Sequence, residues 1–216
     1  MNRPNPLSEG KTQGPRDLDR SSAGGSRARP DVEGAAADSA RLAELARTRL
    51  LDTEPEESFD RITCLVARVM DAPLALVNLI DRDRQFTKAC VVPEGMSPLA
   101  ETCFNDSFCQ YPVALDRPLA IDDARDHPWV GQSAFVREGG ILAYLGVPFH
   151  GPDGHALGSL CVASPEPREW TQDEVELMEE LAHVVETEVA LRVERLKATL
   201  ESGQDAAPGG HPPAVE

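Results

Sequence analysis

Aromatic side chains are scarce in this chain: two Trp, two Tyr and six Phe among 216 residues. A sugar-cleaving cleft, which needs flat rings beside paired carboxylates, is disfavoured on that ground. The acid pairs Asp81/Asp83 and Asp122/Asp123 read instead as turn residues. No run of 18 apolar residues occurs, so no helix is expected to span a membrane. The opening MNRPNPLSEG is polar and broken by proline, so it lacks a signal-peptide core. The five cysteines (64, 90, 103, 109 and 161) are odd in number and irregular in spacing, which is no disulfide framework. Reduced thiols and a cytoplasmic location are the expectation. There is no Cys-x-x-Cys or His-x-x-His, so no metal site is expected. His127 falls in a loop, and His150 and His155 flank a turn where solvent exposure is expected. A haem ligand at His127 or His183 has no supporting pattern. No Gly-x-Ser-x-Gly elbow and no phosphate-binding glycine loop is found. Positive charge is short as well: 21 Lys and Arg face 37 Asp and Glu, for a net charge of −16. Residues 39–200 alone hold 15 basic and 28 acidic side chains. Such a surface repels phosphate backbones, so nucleic acid and anionic membrane are not expected partners.

Apolar content is ample, at 41%. Residues 1–38 contain five Gly, four Pro and four Ser and no aromatic, which predicts a disordered tail. Residues 201–216, ESGQDAAPGGHPPAVE, read the same way. The folded unit is expected over 39–200. A helix is expected from Ser39 to Leu51, with Leu42, Leu45, Ala46 and Leu50 as its stripe. A second is expected after Thr53, with Thr53 and Glu56 forming a capping box and Phe59, Ile62, Val66 and Val69 at helical spacing. Leu74 to Ile80 is apolar on both faces except for Asn78, the mark of a central strand. Gln85 to Val92 is its hairpin partner. Asn105 to Tyr111 reads as a short helix and Pro118 to Ile121 as a short strand. Leu142 to Phe149 and His155 to Ala163 form a second hairpin about the turn Gly151-Pro-Asp-Gly154. Thr171 and Glu174 form the capping box of a last helix of about 29 residues. That helix overhangs a single layer. Its stripe through Val185, Val189, Val193 and Leu196 is assigned to a homodimer contact.

The run LLDTEPEESFDRITCLVARVMDAPLALVNLIDRDRQFTKA, then SFC at 107–109, PLAIDDARDHPWV and YLGVPFHGPDGHALGSLCV, resembles the GAF domain family in order and over about residues 41–192. The resemblance implies an α+β fold, related to PAS-type sensors. It implies a central antiparallel sheet of five to six strands with helices on both faces. It also implies a non-catalytic sensory role, binding a small ligand or sensing redox state and reporting through terminal helices. With no output domain expected after Leu200, two expectations stand: the signal passes to a separate signalling output protein, or the chain is a truncated remnant.

Pocket candidates are Asn78, Phe108, Cys109, Trp129, Tyr144 and Cys161. Six of the ten aromatics lie between Cys103 and Tyr144. They either pack loops onto the sheet or line a hollow. No cysteine is followed by His, so covalent bilin attachment is not expected, and the relatives' cyclic-nucleotide set does not align. No cofactor is required. Two alternatives stay open. Cys103, Cys109 and Cys161 would serve a thiol-dependent reductase of a small oxidised substrate such as free methionine sulfoxide. Alternatively, the chain is a ligand-free dimerisation scaffold. No enzyme activity is the first expectation.

Overall fold

The computed structural model describes residues 19–20, 28–95, 100–138 and 140–204. The strands in chain order are β1 (Asp19–Arg20), β2 (Leu74–Ile80), β3 (Arg84–Val91), β4 (Glu101–Cys103), β5 (Leu119–Ile121), β6 (Ala143–His150) and β7 (Ala156–Ser164). They form one sheet in the order β1-β5-β6-β7-β2-β3-β4. Six of them are antiparallel; the two-residue β1 adds parallel to β5. The helices are α1 (Val32–Ala37), α2 (Ser39–Thr48), α3 (Glu57–Val69), α4 (Gln110–Leu115), α5 (Ala134–Arg137) and α6 (Gln172–Gln204). This is the expected α+β architecture.

Both central strands are buried on both faces, as their unbroken apolar character demands. One face of the sheet packs on α2, α3 and α6 through Leu45, Phe59, Val66, Met178, Val185 and Val189. The other packs on α1, α4 and irregular chain through Val32, Phe108, Tyr111, Val130 and Tyr144. The hairpin turn closes as expected: Gly154 N–H donates to the Gly151 carbonyl at 2.9 Å, and Gly154 takes φ +89°, where glycine alone is unstrained. The capping box of α6 forms in both directions, Thr171 N–H to Glu174 Oε2 at 2.7 Å and Glu174 N–H to Thr171 Oγ1 at 3.2 Å.

Four expectations change. Helical structure starts before Ser39: α1 lies inside the expected tail because Val32 and Ala36 find a core to enter, and Asp31 caps its Gly34 amide. At the other end α6 runs to Gln204, and residues 205–216 lie outside the described residues, as do most of 1–38. The capping box at Thr53 does not form. The Thr53 hydroxyl donates to the Leu50 carbonyl and accepts from Lys88 Nζ, while Glu56 pairs with Lys88 at 2.6 Å and with Arg192. Arg192 also caps the end of α2 through the carbonyls of Thr48 and Arg49. Lastly, Val185 and Val189 are buried in the core against the chain's own sheet, Val193 is buried as well, and only Leu196 is half-exposed. The stripe open to a partner is Leu177, Val184 and Leu191.

Candidate functional site

Period two on the central strands aims a set of side chains at the covered face. Leu74, Leu76 and Asn78 on β2 alternate toward it, as do Gln85 and Thr87 on β3 and Cys161 and Ala163 on β7. Above them the chain from Ser107 into α4 supplies Phe108 and Cys109, and Phe135 and Ile141 come from the segment before β6. Together with Tyr144 they enclose a cavity of about 300 Å³. Phe108 and Tyr144 meet edge to face, with centroids 5.4 Å apart.

The polar groups converge on sulfur. Asn78 Nδ2 donates to Cys109 Sγ at 3.2 Å and to Cys161 Sγ at 3.7 Å. The Tyr144 hydroxyl donates to Cys109 Sγ at 3.4 Å, and the two sulfurs are 3.5 Å apart. These bonds, the one with Cys161 foremost, draw the Cys109 thiol below its ordinary pKa against the opposing effect of burial. Holding that bond and being buried push the Cys161 thiol well up, and burial pushes the Tyr144 phenol well up. Among the described residues no cation lines the cavity. A thiolate here has donors around it but no counter-charge. Asn78 is 1% exposed, and among the described residues its Oδ1 has no hydrogen-bond partner.

Five of the six candidates, Asn78, Phe108, Cys109, Tyr144 and Cys161, line this cavity. Trp129 does not. It stacks on Tyr111 of α4 at 5.4 Å and 25°, in a separate hollow with Arg29 and Asn105. Of the redox trio, Cys109 and Cys161 meet, whereas Cys103 is exposed on the edge strand β4. Leu76, Gln85 and Thr87 are lining residues that the sequence pattern alone did not single out. Counting in twos from Asn78 and along its hairpin partner finds them.

A second, polar groove lies on the opposite face between α6 and β6. His150 stands in it with both ring nitrogens engaged: Nε2 with Asp116 Oδ1 at 2.7 Å, Nδ1 with Glu186 Oε1 at 2.8 Å. The hydrogen bond to Glu186 leads in raising the His150 pKa to about 9. Burial pushes Glu186 up, but the bonds from His150 outweigh it and hold the carboxyl below its usual range. Asp116 is the C-cap of α4 and Cys109 its N-cap. The helix that follows the lining segment Ser107 to Cys109 is thus tied to α6 through His150. Neither His150 nor His155 is the free surface residue expected; His155 Nδ1 lies 2.7 Å from the buried Glu44.

The family model described as "GAF domain" matches residues 54–189. A cyclic di-GMP phosphodiesterase of Pseudomonas aeruginosa is 29% identical over 161 residues, which are 74% of this chain and 26% of that protein. The chain therefore spans about a quarter of that relative's length. The blue-light-absorbing form of the Thermosynechococcus elongatus PixJ GAF domain superposes with a TM-score of 0.53 at 22% identity, covering 77% of this chain and 98% of that one. The free methionine-R-sulfoxide reductase of Neisseria meningitidis, in complex with its substrate, gives 0.52 at 15% identity, covering 72% and 91%. At these identities the two structures show the shared fold.

Proposed function

This chain belongs to the GAF domain family, and on that premise we propose that it is a sensory module without turnover of its own. It takes a small molecule into the cavity beside the start of α4 and reports through α6 to a second copy of itself. One observation carries this: Phe108 and Cys109 in the cavity wall lead directly into α4, whose C-cap Asp116 is linked by His150 to Glu186 on α6. The acidic surface favours protein over nucleic-acid partners. A cytoplasmic location and a separate signalling output protein complete the reading. No described helix is long and apolar enough to cross a membrane.

The contact with the second copy is assigned to Leu177, Val184 and Leu191, spaced seven apart on the open side of α6 and 38%, 47% and 47% exposed. α3 runs antiparallel beside α6: Arg192 pairs with Glu56 at one end, and Arg168 bonds the Asp71 carbonyl at the other. Leu65 and Val69, i and i+4 on one face of α3, are both 48% exposed and extend the apolar surface offered beside α6. Light scattering on Val184→Glu tests it. The wild type runs at twice the chain mass and the variant at once; two equal masses would end this part of the proposal. Native mass spectrometry of the wild type then reports any retained small molecule.

A second reading is favoured by the sulfur pair. A thiol-dependent reductase would pass two electrons and two protons from Cys109 and Cys161 to a sulfoxide, giving a disulfide, a thioether and water. An external dithiol would restore the thiols. Turnover of free methionine sulfoxide that disappears in Cys109→Ser would establish it.

A further inference from the structure

We infer that the cavity takes a neutral, mainly apolar molecule carrying a single N–H or O–H donor, of the phenol or indole class, seated on Asn78 Oδ1. This rests on the ligand-binding reading above and narrows it to a chemistry.

Charge decides first. Among the described residues the lining holds no Asp, Glu, Lys, Arg or His. A phosphate, a carboxylate or a zwitterionic amino acid would lose its hydration there and gain no partner of opposite sign. Neutral molecules incur no such cost.

The free hydrogen-bonding capacity decides next. Gln85 Oε1 accepts from Ser107 Oγ at 2.6 Å. The Tyr144 hydroxyl is given to Cys109. Thr87 and Thr102 are part-exposed, so water meets their hydroxyls. Asn78 spends its amide N–H on the two sulfurs and leaves its carbonyl oxygen buried without a partner among the described residues. A buried acceptor left open calls for a donor. Cys109 fixes which end of the amide faces which way. It accepts from the Tyr144 hydroxyl and gives its own S–H to Cys161, so the end of Asn78 turned toward it is the donating one.

Shape and polarizability decide the rest. The walls are Leu74, Leu76 and Ile141 with the rings of Phe108 and Phe135, and the two sulfurs form soft contacts with an aromatic edge. A volume of about 300 Å³ stands at the small end of ligand pockets and suits one or two fused rings.

The test is calorimetric titration of the full chain with matched probes: phenol and indole as donors, anisole as an acceptor of the same shape, toluene with neither, and benzoate and free methionine sulfoxide as charged controls. Phenol and indole are expected to bind at least tenfold more tightly than anisole and toluene. Asn78→Leu should abolish that preference while toluene still binds. Ile141→Trp, on a half-buried wall, should block every probe and so place the binding in the cavity. Anisole matching phenol, or a preference that survives in Asn78→Leu, overturns the assigned donor. Benzoate or the sulfoxide binding more tightly than phenol overturns the neutral class while leaving a ligand-binding module standing. No probe binding to the wild type, with an unaltered thermal midpoint in Ile141→Trp across a wider ligand set, overturns both.

Discussion

Raising the pH should loosen α6 from the body of the domain, and His150 is the reason. Its pKa is raised to about 9 by Glu186 and Asp116, against 6.5 for a free imidazole. A group whose pKa rises on folding adds stability that is complete below its unfolded value and is lost as pH climbs through its folded value. The contribution is therefore full below about pH 6.5, decays from there to about pH 9 and is absent above. Each tenfold change in proton affinity is worth about 1.4 kcal/mol, so the ceiling is roughly 3 kcal/mol. The side chain is 31% exposed, and solvent screening brings the expected figure to about 1–2 kcal/mol. The groups facing the imidazole are Asp116, Glu186, His183, Glu179 and Arg117, all of which line the same groove. Against the effect of burial, the bonds from His150 hold the Glu186 carboxyl below its usual range, so the window belongs to His150. Urea unfolding of the wild type and His150→Gln at pH 6, 7.5 and 9.5 measures the effect. Glutamine keeps a hydrogen bond but carries no charge. The stability gap between the two proteins should shrink by about 1–2 kcal/mol from pH 6 to pH 9.5. A gap that stays constant, or widens with pH, would refute the double ion pair.

Two other outcomes follow from the packing. A Cβ on Gly158 would stand 2.0 Å from the Asn78 carbonyl oxygen and 2.6 Å from Phe149 Cζ. Gly158→Ala should therefore cost at least about 3 kcal/mol in a urea melt, since strand backbone cannot yield as a side chain does; a loss under about 1 kcal/mol would show that the β2–β7 pair slides freely. Ellman's reagent should label the exposed Cys64 and Cys103 in the native chain and reach the buried Cys109 and Cys161 only in denaturant; native labelling of Cys109 would show the cavity open to a bulky anion.

Much of the fold is legible in the sequence because its signals are local. Two apolar runs of strand length, one interrupted only by Asn78, can be nothing but central strands once turns bound them. The Gly151–Gly154 turn and the box at Thr171 and Glu174 are each decided within four residues. What the sequence hides is the choice of partner. Thr53 has the right spacing to cap α3, but Lys88 takes its hydroxyl from 35 positions away, and no local pattern records that. On α6 the periodicity identifies two apolar stripes without saying which meets the sheet. The broader one, through Val185 and Val189, goes inward, as the area available for burial requires. Trp129 groups with the other aromatics only because it is near them in sequence; Tyr111 claims its ring. His150 reads as a solvated hairpin flank because both of its carboxylate partners lie more than 30 positions away.

The protonation state of His150 also bears on how a filled cavity is reported. A neutral imidazole has one N–H and can donate to one carboxylate only, whereas the imidazolium donates to both. Asp116 and Glu186 are both acceptors, so both ring bonds are made only while the ring is charged, whereas the His150 backbone N–H holds Glu186 at 2.9 Å in either state. α4 has six residues, about 9 Å of rigid rod, with the cavity at its Cys109 end and the link at its Asp116 end. A ligand that displaces Cys109 therefore moves Asp116 with it and strains or relieves the bond to His150. When the ring loses its proton, one of the two ring bonds is lost and the rod's grip on α6 weakens. Ligand affinity and the mobility of α6 should then be more strongly coupled below about pH 9 than above it, because the same proton that stabilises the fold tightens the path between them.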